Sequence, residues 1–578
     1  MKKELLLIFK THLDIGFTDY SQNVVDKYLK EYIPNAIRVG NELRDSDTPF
    51  IWTIGSWMVW EALKCDDGTV EQAIKDGILA WHALPFTSHT ESMSVKLFEY
   101  GLSLSEKLDA RFGKKTIAAK MTDVPGHTQA MVPIMAKHGI EFMHIGVNEV
   151  TPLPETPPIF KWKCDDSYLT VMYCTHYGNV SDFGTFAVAF AHTHDNKGPQ
   201  SADEVREIYK KYRSEYPDAD VKAVTLDYVA ERLRCVEGIP ILDKEIGDTW
   251  IHGIGTDPKK LGMYRELLRW FDNMGPNSVD ISDNLLLVPE HTWGMDVKRY
   301  FPYWDVYYSN ELKKYKNNPD KLKIESSWQE QRDYVYNGEK ALSHNVDYTL
   351  AEPDVSVMTK VDIPEFDFEL SWQIFDHSDN VRWIRKYMQL NPQTIIWGAY
   401  DYVKVGLPEY KGGIYTATAT EGYEGKDGFW YKFEFESIDA TKWGLPYFWV
   451  NVDGMNFTFC WFNKEASRIP QAAWLKFKGF DSDCEIRKLG RWIKPKDIIY
   501  STLFCATDYG IRSDDKEIES LDAALVAPYG RRAYDFDLKP CNDDMYFNLY
   551  NNIWNTNFPQ WYGEDTRFRF VIKQRNYK

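Results

Sequence analysis

The sequence predicts a multidomain α/β + α + β protein: an N-terminal α/β barrel-like domain over residues 1–257, a central helix bundle over 258–352, and a C-terminal antiparallel β-sandwich over 353–578. Three patterns carry this. Short apolar runs alternate with amphipathic stretches up to about residue 255, helical periodicity follows to about 350, and short alternating runs broken by Gly, Asp and Asn turns come last. A chain of 578 residues, 44% of them hydrophobic, has apolar material for several cores.

In the first part Leu5–Phe9 reads as a strand, Val24–Leu43 as a helix, Pro49–Ile54 as a strand, Val70–Lys75 as a helix and Ile78–Ala83 as a strand. Leu102–Phe112 and Thr128–His138 read as helices, and Thr116–Met121, Phe142–Gly146 and Ala187–Phe190 as strands. Alternation of this kind makes the strands parallel and places ligands just beyond their carboxyl ends. The bundle helices are Lys259–Asn273, Ser278–Val288 and Ser327–Ser343, joined by aromatic and Pro-containing connections such as Arg299–Trp304. Phe366–Leu370, Ile414–Thr420, Phe429–Glu436, Phe457–Phe462 and Phe568–Ile572 are the sandwich strands.

Acidic residues outnumber basic ones by 86 to 68, a net charge of −18, which argues against a nucleic-acid partner. The eight cysteines (Cys65, Cys164, Cys174, Cys235, Cys460, Cys484, Cys505 and Cys541) form no C-x-x-C pair and read as reduced core thiols. The apolar run Leu5–Phe9 is too brief for a signal peptide, and no run reaches the roughly 18 to 20 residues that span a bilayer. The expected location is cytoplasmic, without a membrane partner. Aromatic residues make up 15% of the chain, and their flat faces suit stacking on sugar rings, although core packing uses them too.

Three segments carry the candidate chemistry. His12 and Asp14 directly follow the first strand, where positions i and i+2 can converge on one ion; the plainer role is a capped turn. Asp123 opens the elbow Asp123-Val124-Pro125-Gly126-His127, in which Pro125 and Gly126 let the chain turn sharply and present the carboxylate as ligand, nucleophile or helix cap. His291, between Glu290 and Trp293, completes a two-His, two-Asp set suited to Zn²⁺, unless it is a packed core histidine.

Two further acids follow apolar runs. Asp195 lies in His192-Thr193-His194-Asp195, where either histidine could serve as an alternative ligand, and Asp248 lies beside Trp250 as a sugar-contacting pair. His89, Glu91 and Trp293 join Asp248 and Trp250 as candidate substrate contacts, each also explicable by packing. The run Asn551–Phe558 could approach the site or form a stabilising turn.

Taken in order, an H-x-D pair after the first strand, an Asp-x-Pro-Gly-His elbow after a middle strand and a His in a following helical region resemble the zinc-dependent retaining α-mannosidases of glycoside hydrolase family 38. The elbow departs from the family's Asp-Pro-Phe-Gly-His, reading Asp-Val-Pro-Gly-His here. The resemblance spans the first ~350 residues by pattern and the remainder by architecture. It implies zinc held by His12, Asp14, Asp123 and His291, with Asp123 also the nucleophile. Asp195 is the choice for acid/base by position, and Asp248 the second choice. The expected partner is a carbohydrate, with self-association left open. Two other readings are a metal-dependent carbohydrate deacetylase and a non-catalytic carbohydrate-binding protein.

Overall fold

The computed structural model describes residues 3–575, apart from 152, 276–278, 343–345, 388–394, 500–503, 532 and 534–543. Two compact units emerge. The first comprises Met1–His89, Val95–Lys244 and Glu290–Thr292, and the second Thr90–Ser94, Glu245–Pro289 and Trp293–Lys578.

Among its described residues the first unit holds eleven strands: β1 (Lys3–Thr11), β2 (Trp52–Gly55), β3 (Leu79–His82), β4 (Ala118–Asp123), β5 (Phe142–Val147), β6 (Ile159–Cys164), β7 (Ser167–Thr175), β8 (Ser181–Asp182), β9 (Phe186–Thr193), β10 (Ala219–Ala223) and β11 (Ile241–Leu242). They form two sheets, one ordered β3-β2-β1-β9-β8 with β10 also on β1, the other β11-β6-β7-β5-β4. Among the described residues the strands do not close into a barrel. β3 and β4 meet through one backbone bond, Ala83 N–H to Ala118 O at 2.9 Å, rather than through a ladder. Parallel pairing dominates, and it buries both faces of β1, whose Leu5–Phe9 run is wholly inaccessible. Leu6 and Ile8 of β1, Phe142 of β5, Met172 of β7 and Val188 of β9 share one core with Leu226 and Val229 of the helix Leu226–Leu233.

Two features depart from the βα pattern. β6 and β7 are an antiparallel hairpin, and β7 then lies parallel to β5, so a return strand stands where a helix was expected. The long first helix is interrupted by a π-helical turn at Tyr28–Tyr32 before Ile33–Leu43 begins. Pro34, which lacks an N–H, stands at the start of that second segment and cannot donate to the preceding turn.

In the second unit the helices Pro258–Asn273, Val279–Leu287 and Pro319–Leu342 stand where three were expected, the third beginning at Pro319 rather than Ser327. Ser278 and Ser343, predicted helix ends, lie outside the described residues. A ten-stranded and a six-stranded antiparallel sheet follow, packed through one aromatic core in which Trp372 meets Trp461 and Phe477 meets Phe570. Buried Asn552 donates to Ser467 O, Ile469 O and Gln560 O, which ties the Asn-rich run into this unit.

Cys65 and Cys235 are exposed rather than core thiols, while Cys164, Cys174, Cys460, Cys484 and Cys505 are buried; none of these seven is in a disulfide among the described residues, and Cys541 lies outside them. No helix among the described residues is long and apolar enough to cross a membrane.

Candidate metal centre

The carboxyl ends of five strands of the first unit supply one constellation. β1 leads into His12 and Asp14, β4 ends at Asp123, β5 leads to Asn148, β7 to Tyr177 and β9 to Asp195. Topology alone therefore gathers residues far apart in sequence. His291 reaches the same place because its segment pairs with the loop after β3, through the antiparallel bridge Ser88 to Glu290 and the bond His291 N–H to Thr87 O at 3.3 Å.

His12, Asp14, Asp123 and His291 each offer a ligand atom within 4.8 Å of the others. The two imidazole Nε2 atoms are 3.1 Å apart. Asp14 Oδ1 lies 3.2 Å from His12 Nε2 and 3.1 Å from His291 Nε2. Asp123 Oδ2 stands 3.9 Å and 3.5 Å from the same two atoms. A tetrahedral ion with arms of about 2.0–2.2 Å spaces its ligand atoms about 3.3–3.6 Å apart, so these spacings bracket what Zn²⁺ requires. Asp14 Oδ2 is a buried acceptor without a hydrogen-bond donor, which a cation would satisfy.

Each histidine has a polar group close behind its Nδ1. His12 Nδ1 is 2.7 Å from Thr122 Oγ1, and with the proton on Nδ1 donated to that hydroxyl, Nε2 keeps a lone pair for metal. His291 Nδ1 lies 2.7 Å from Glu290 Oε1, itself fixed by Thr292 N–H at 2.9 Å on its other oxygen. The surroundings call for positive charge at this point. Burial opposes ionisation of Asp14 and Asp123, yet the facing histidines hold both below the usual carboxylate range. Burial likewise disfavours a charged His291, but Glu290, Asp123 and Asp14 outweigh it and raise its pKa well above the ordinary value.

Asp123 itself adopts φ 81°, a left-handed conformation costly for a residue with a Cβ and concentrated at functional sites. The sharp turn expected of Pro125 and Gly126 thus begins two residues earlier, at the acid. Its Oδ1 accepts from Asn148 Nδ2 at 3.0 Å and from the Tyr177 hydroxyl at 2.6 Å. Tyr177 also lies 3.3 Å from Asp195 Oδ1. Asp195 is partly accessible, and its pKa is raised to about 7, by burial first and then by the charges of Asp14 and Asp123. Its neighbour Asn196 locks the loop: its amide bonds both to Asp14 N–H and to Asp14 O, each at 3.0 Å, while its own N–H donates to His12 O. His192 and His194 are not in the four-residue group.

The remaining candidates are not among the four converging residues. His89 is fully buried in the first unit. Glu91 and Asp248 belong to the second unit, fully buried: Glu91 Oε1 accepts from Lys488 Nζ at 2.9 Å and Asp248 N–H at 3.1 Å, and Lys488 also meets Glu245 at 3.1 Å. Trp250 packs on Trp554 at 5.0 Å and Trp293 under the Lys260 ammonium at 3.6 Å. Thr122, Asn148, Tyr177, Asn196 and the orienting role of Glu290 escaped the sequence reading; a signal existed only for Glu290, adjacent to His291.

A protein family described as "Domain of unknown function (DUF5054)" matches residues 254–358. No curated protein sequence matches the chain. Among solved structures, an alpha-mannosidase from Enterococcus faecalis V583 is similar with a TM-score of 0.58 and 8% identity, over 99% of this chain and 87% of that one. A protein in the glycosyl hydrolase family 38 from Enterococcus faecalis gives a TM-score of 0.52 and 8% identity, over 100% and 86%. The chain shares their mixed helix and sheet architecture.

Proposed function

We propose that the chain is a zinc-dependent retaining glycoside hydrolase of α-mannosidase type. The observation that carries this reading is the convergence of His12, Asp14, Asp123 and His291 within 4.8 Å, with Asp195 reached through Tyr177. The likeness in fold to the Enterococcus faecalis proteins agrees with it.

Bound by these four residues, Zn²⁺ would supply Lewis acidity and a grip on sugar hydroxyl oxygens. The chain's own residues do the rest. Asp123 carboxylate forms a bond to the anomeric carbon as the bond to the departing oxygen breaks, and Asp195 gives that oxygen its proton. Water then attacks the glycosyl ester, loses a proton to Asp195, and frees Asp123. The Asp123 and Asp195 oxygens that share Tyr177 are no farther apart than their two hydrogen-bond distances, 2.6 Å and 3.3 Å, laid end to end. That favours retention, which needs roughly 5–5.5 Å, over inversion, which begins at roughly 6.5 Å. Asp195 therefore takes the acid/base role ahead of Asp248.

The test combines metal analysis with a panel of aryl glycosides that includes the α-mannoside, followed by trapping with a fluorinated sugar. The expected result is stoichiometric zinc, turnover, and a covalent sugar on Asp123. Metal-dependent release of acetate without an adduct would instead establish a deacetylase.

A further inference from the structure

We propose that Tyr177 is a positioning residue that sorts the two carboxylates into nucleophile and acid, an inference that rests on the glycosidase reading above. A phenol has one proton to give and lone pairs to receive with. Its oxygen lies 2.6 Å from Asp123 Oδ1 and 3.3 Å from Asp195 Oδ1, so the proton goes to the nearer acceptor, Asp123. What then faces Asp195 is a lone pair. Only a protonated Asp195 makes a favourable contact there, as donor to the phenol oxygen; an ionised one would meet a lone pair with its own. One hydroxyl thus keeps Asp123 charged and Asp195 neutral, the pairing that attack and protonation require.

The reverse order is blocked from the other side. Asn148 Nδ2 also donates to Asp123 Oδ1, so that oxygen accepts from two donors, as an ionised carboxylate does.

The backbone is shaped to hold this ring. His176 and Tyr177 both take left-handed conformations, φ 52° and 58°, and Gly178 follows at φ 132°. A Cβ on Gly146 would lie 2.7 Å from Tyr177 Cα, and one on Gly178 would lie 2.5 Å from the Phe190 ring, so both glycines are clearance for the loop. The ring stacks on His12 at 5.3 Å and 23°, packing against a proposed metal ligand.

The test is Tyr177→Phe in the full chain, which keeps the ring and removes the hydroxyl. Two readouts are taken: Co²⁺ binding followed by visible absorption, and kcat and KM on aryl glycosides with a poor (phenyl) and a good (dinitrophenyl) leaving group. The expected result is Co²⁺ affinity within about threefold of wild type, KM little changed, and kcat on the phenyl glycoside down at least about tenfold, with a smaller loss on the dinitrophenyl glycoside, which needs little acid help. In an Asp195→Asn background the same substitution should cost markedly less. The proposal is overturned by an unchanged kcat, by equal losses on both leaving groups, or by a full loss persisting without Asp195. If wild type binds no Co²⁺ and cleaves no glycoside, the functional reading fails instead and takes this one with it.

Discussion

At the residue scale, Asp195 makes the proposed chemistry pH-dependent in one direction. As general acid it works protonated, and burial beside Asp14 and Asp123 raises its pKa to about 7. Activity on a poor leaving group is expected to fall on the alkaline side with a midpoint at or below about pH 7, since a bound cation offsets the two neighbouring charges and draws the value down. With Asp195→Ala, turnover of the poor leaving group should be largely lost at every pH while a dinitrophenyl glycoside, which needs little acid help, is still cleaved; a residual activity on the poor leaving group that keeps the alkaline limb would assign that limb to another group. The Glu290 carboxylate sits 2.7 Å from His291 Nδ1 as an ion-pair partner on the far side of the ring from Nε2, which faces Asp14. Glu290→Gln is expected to weaken zinc binding about 10–100-fold, read by competition with a chromophoric chelator, with all four ligands intact.

At the element scale, Asp227 links the helix Leu226–Leu233 to the start of β4, accepting from Ile117 N–H at 2.8 Å and Ala118 N–H at 3.0 Å. Burial raises its pKa from 3.8 to about 6. The native state therefore holds a proton that the unfolded chain releases, so this group's contribution is greatest below about pH 4 and is lost as pH rises to about 6. Asp227→Asn should flatten that part of the stability profile in urea denaturation; an unchanged slope would mean the carboxylate is ionised throughout. The same level shows why parts of the site were legible and others not. His12, Asp14, Asp123 and Asp195 stand after apolar runs that become buried strands, and the parallel arrangement brings such ends together. His291 was legible only through the order of motifs. Tyr177 was hidden because β6 and β7 form a hairpin inside a pattern otherwise built of strand and helix, and its hydroxyl acts through a left-handed turn that no local motif announces. The missing barrel closure has a similar cause: hydrophobic periodicity specifies strands, whereas closure depends on edge pairing, here one bond between β3 and β4.

At the scale of the whole molecule, the four ligands turn metal binding into a fold constraint. His12 and His291 are 279 positions apart, yet their Nε2 atoms are 3.1 Å from each other, so an ion between them ties the end of β1 to the segment Glu290–Thr292 and, through Asp123, to the end of β4. The unfolded chain offers no such arrangement. A ligand that binds only the native state stabilises it by RT ln(1 + [L]/Kd), about 4 kcal/mol at a thousandfold excess over Kd. The gain belongs to the openings that separate the ligands, so it should appear as slower amide exchange around Phe9–Thr11 and Met121–Thr122 when zinc is added to chelator-treated protein. Strands of the second unit, such as Asn456–Phe462, contribute no ligand and serve as the internal reference. His291→Ala should erase most of the difference at both strand ends while leaving the reference unchanged. If the strand ends are equally protected with and without zinc, or if His291→Ala responds to zinc as wild type does, the cation does not span these segments and the four-residue centre is wrong.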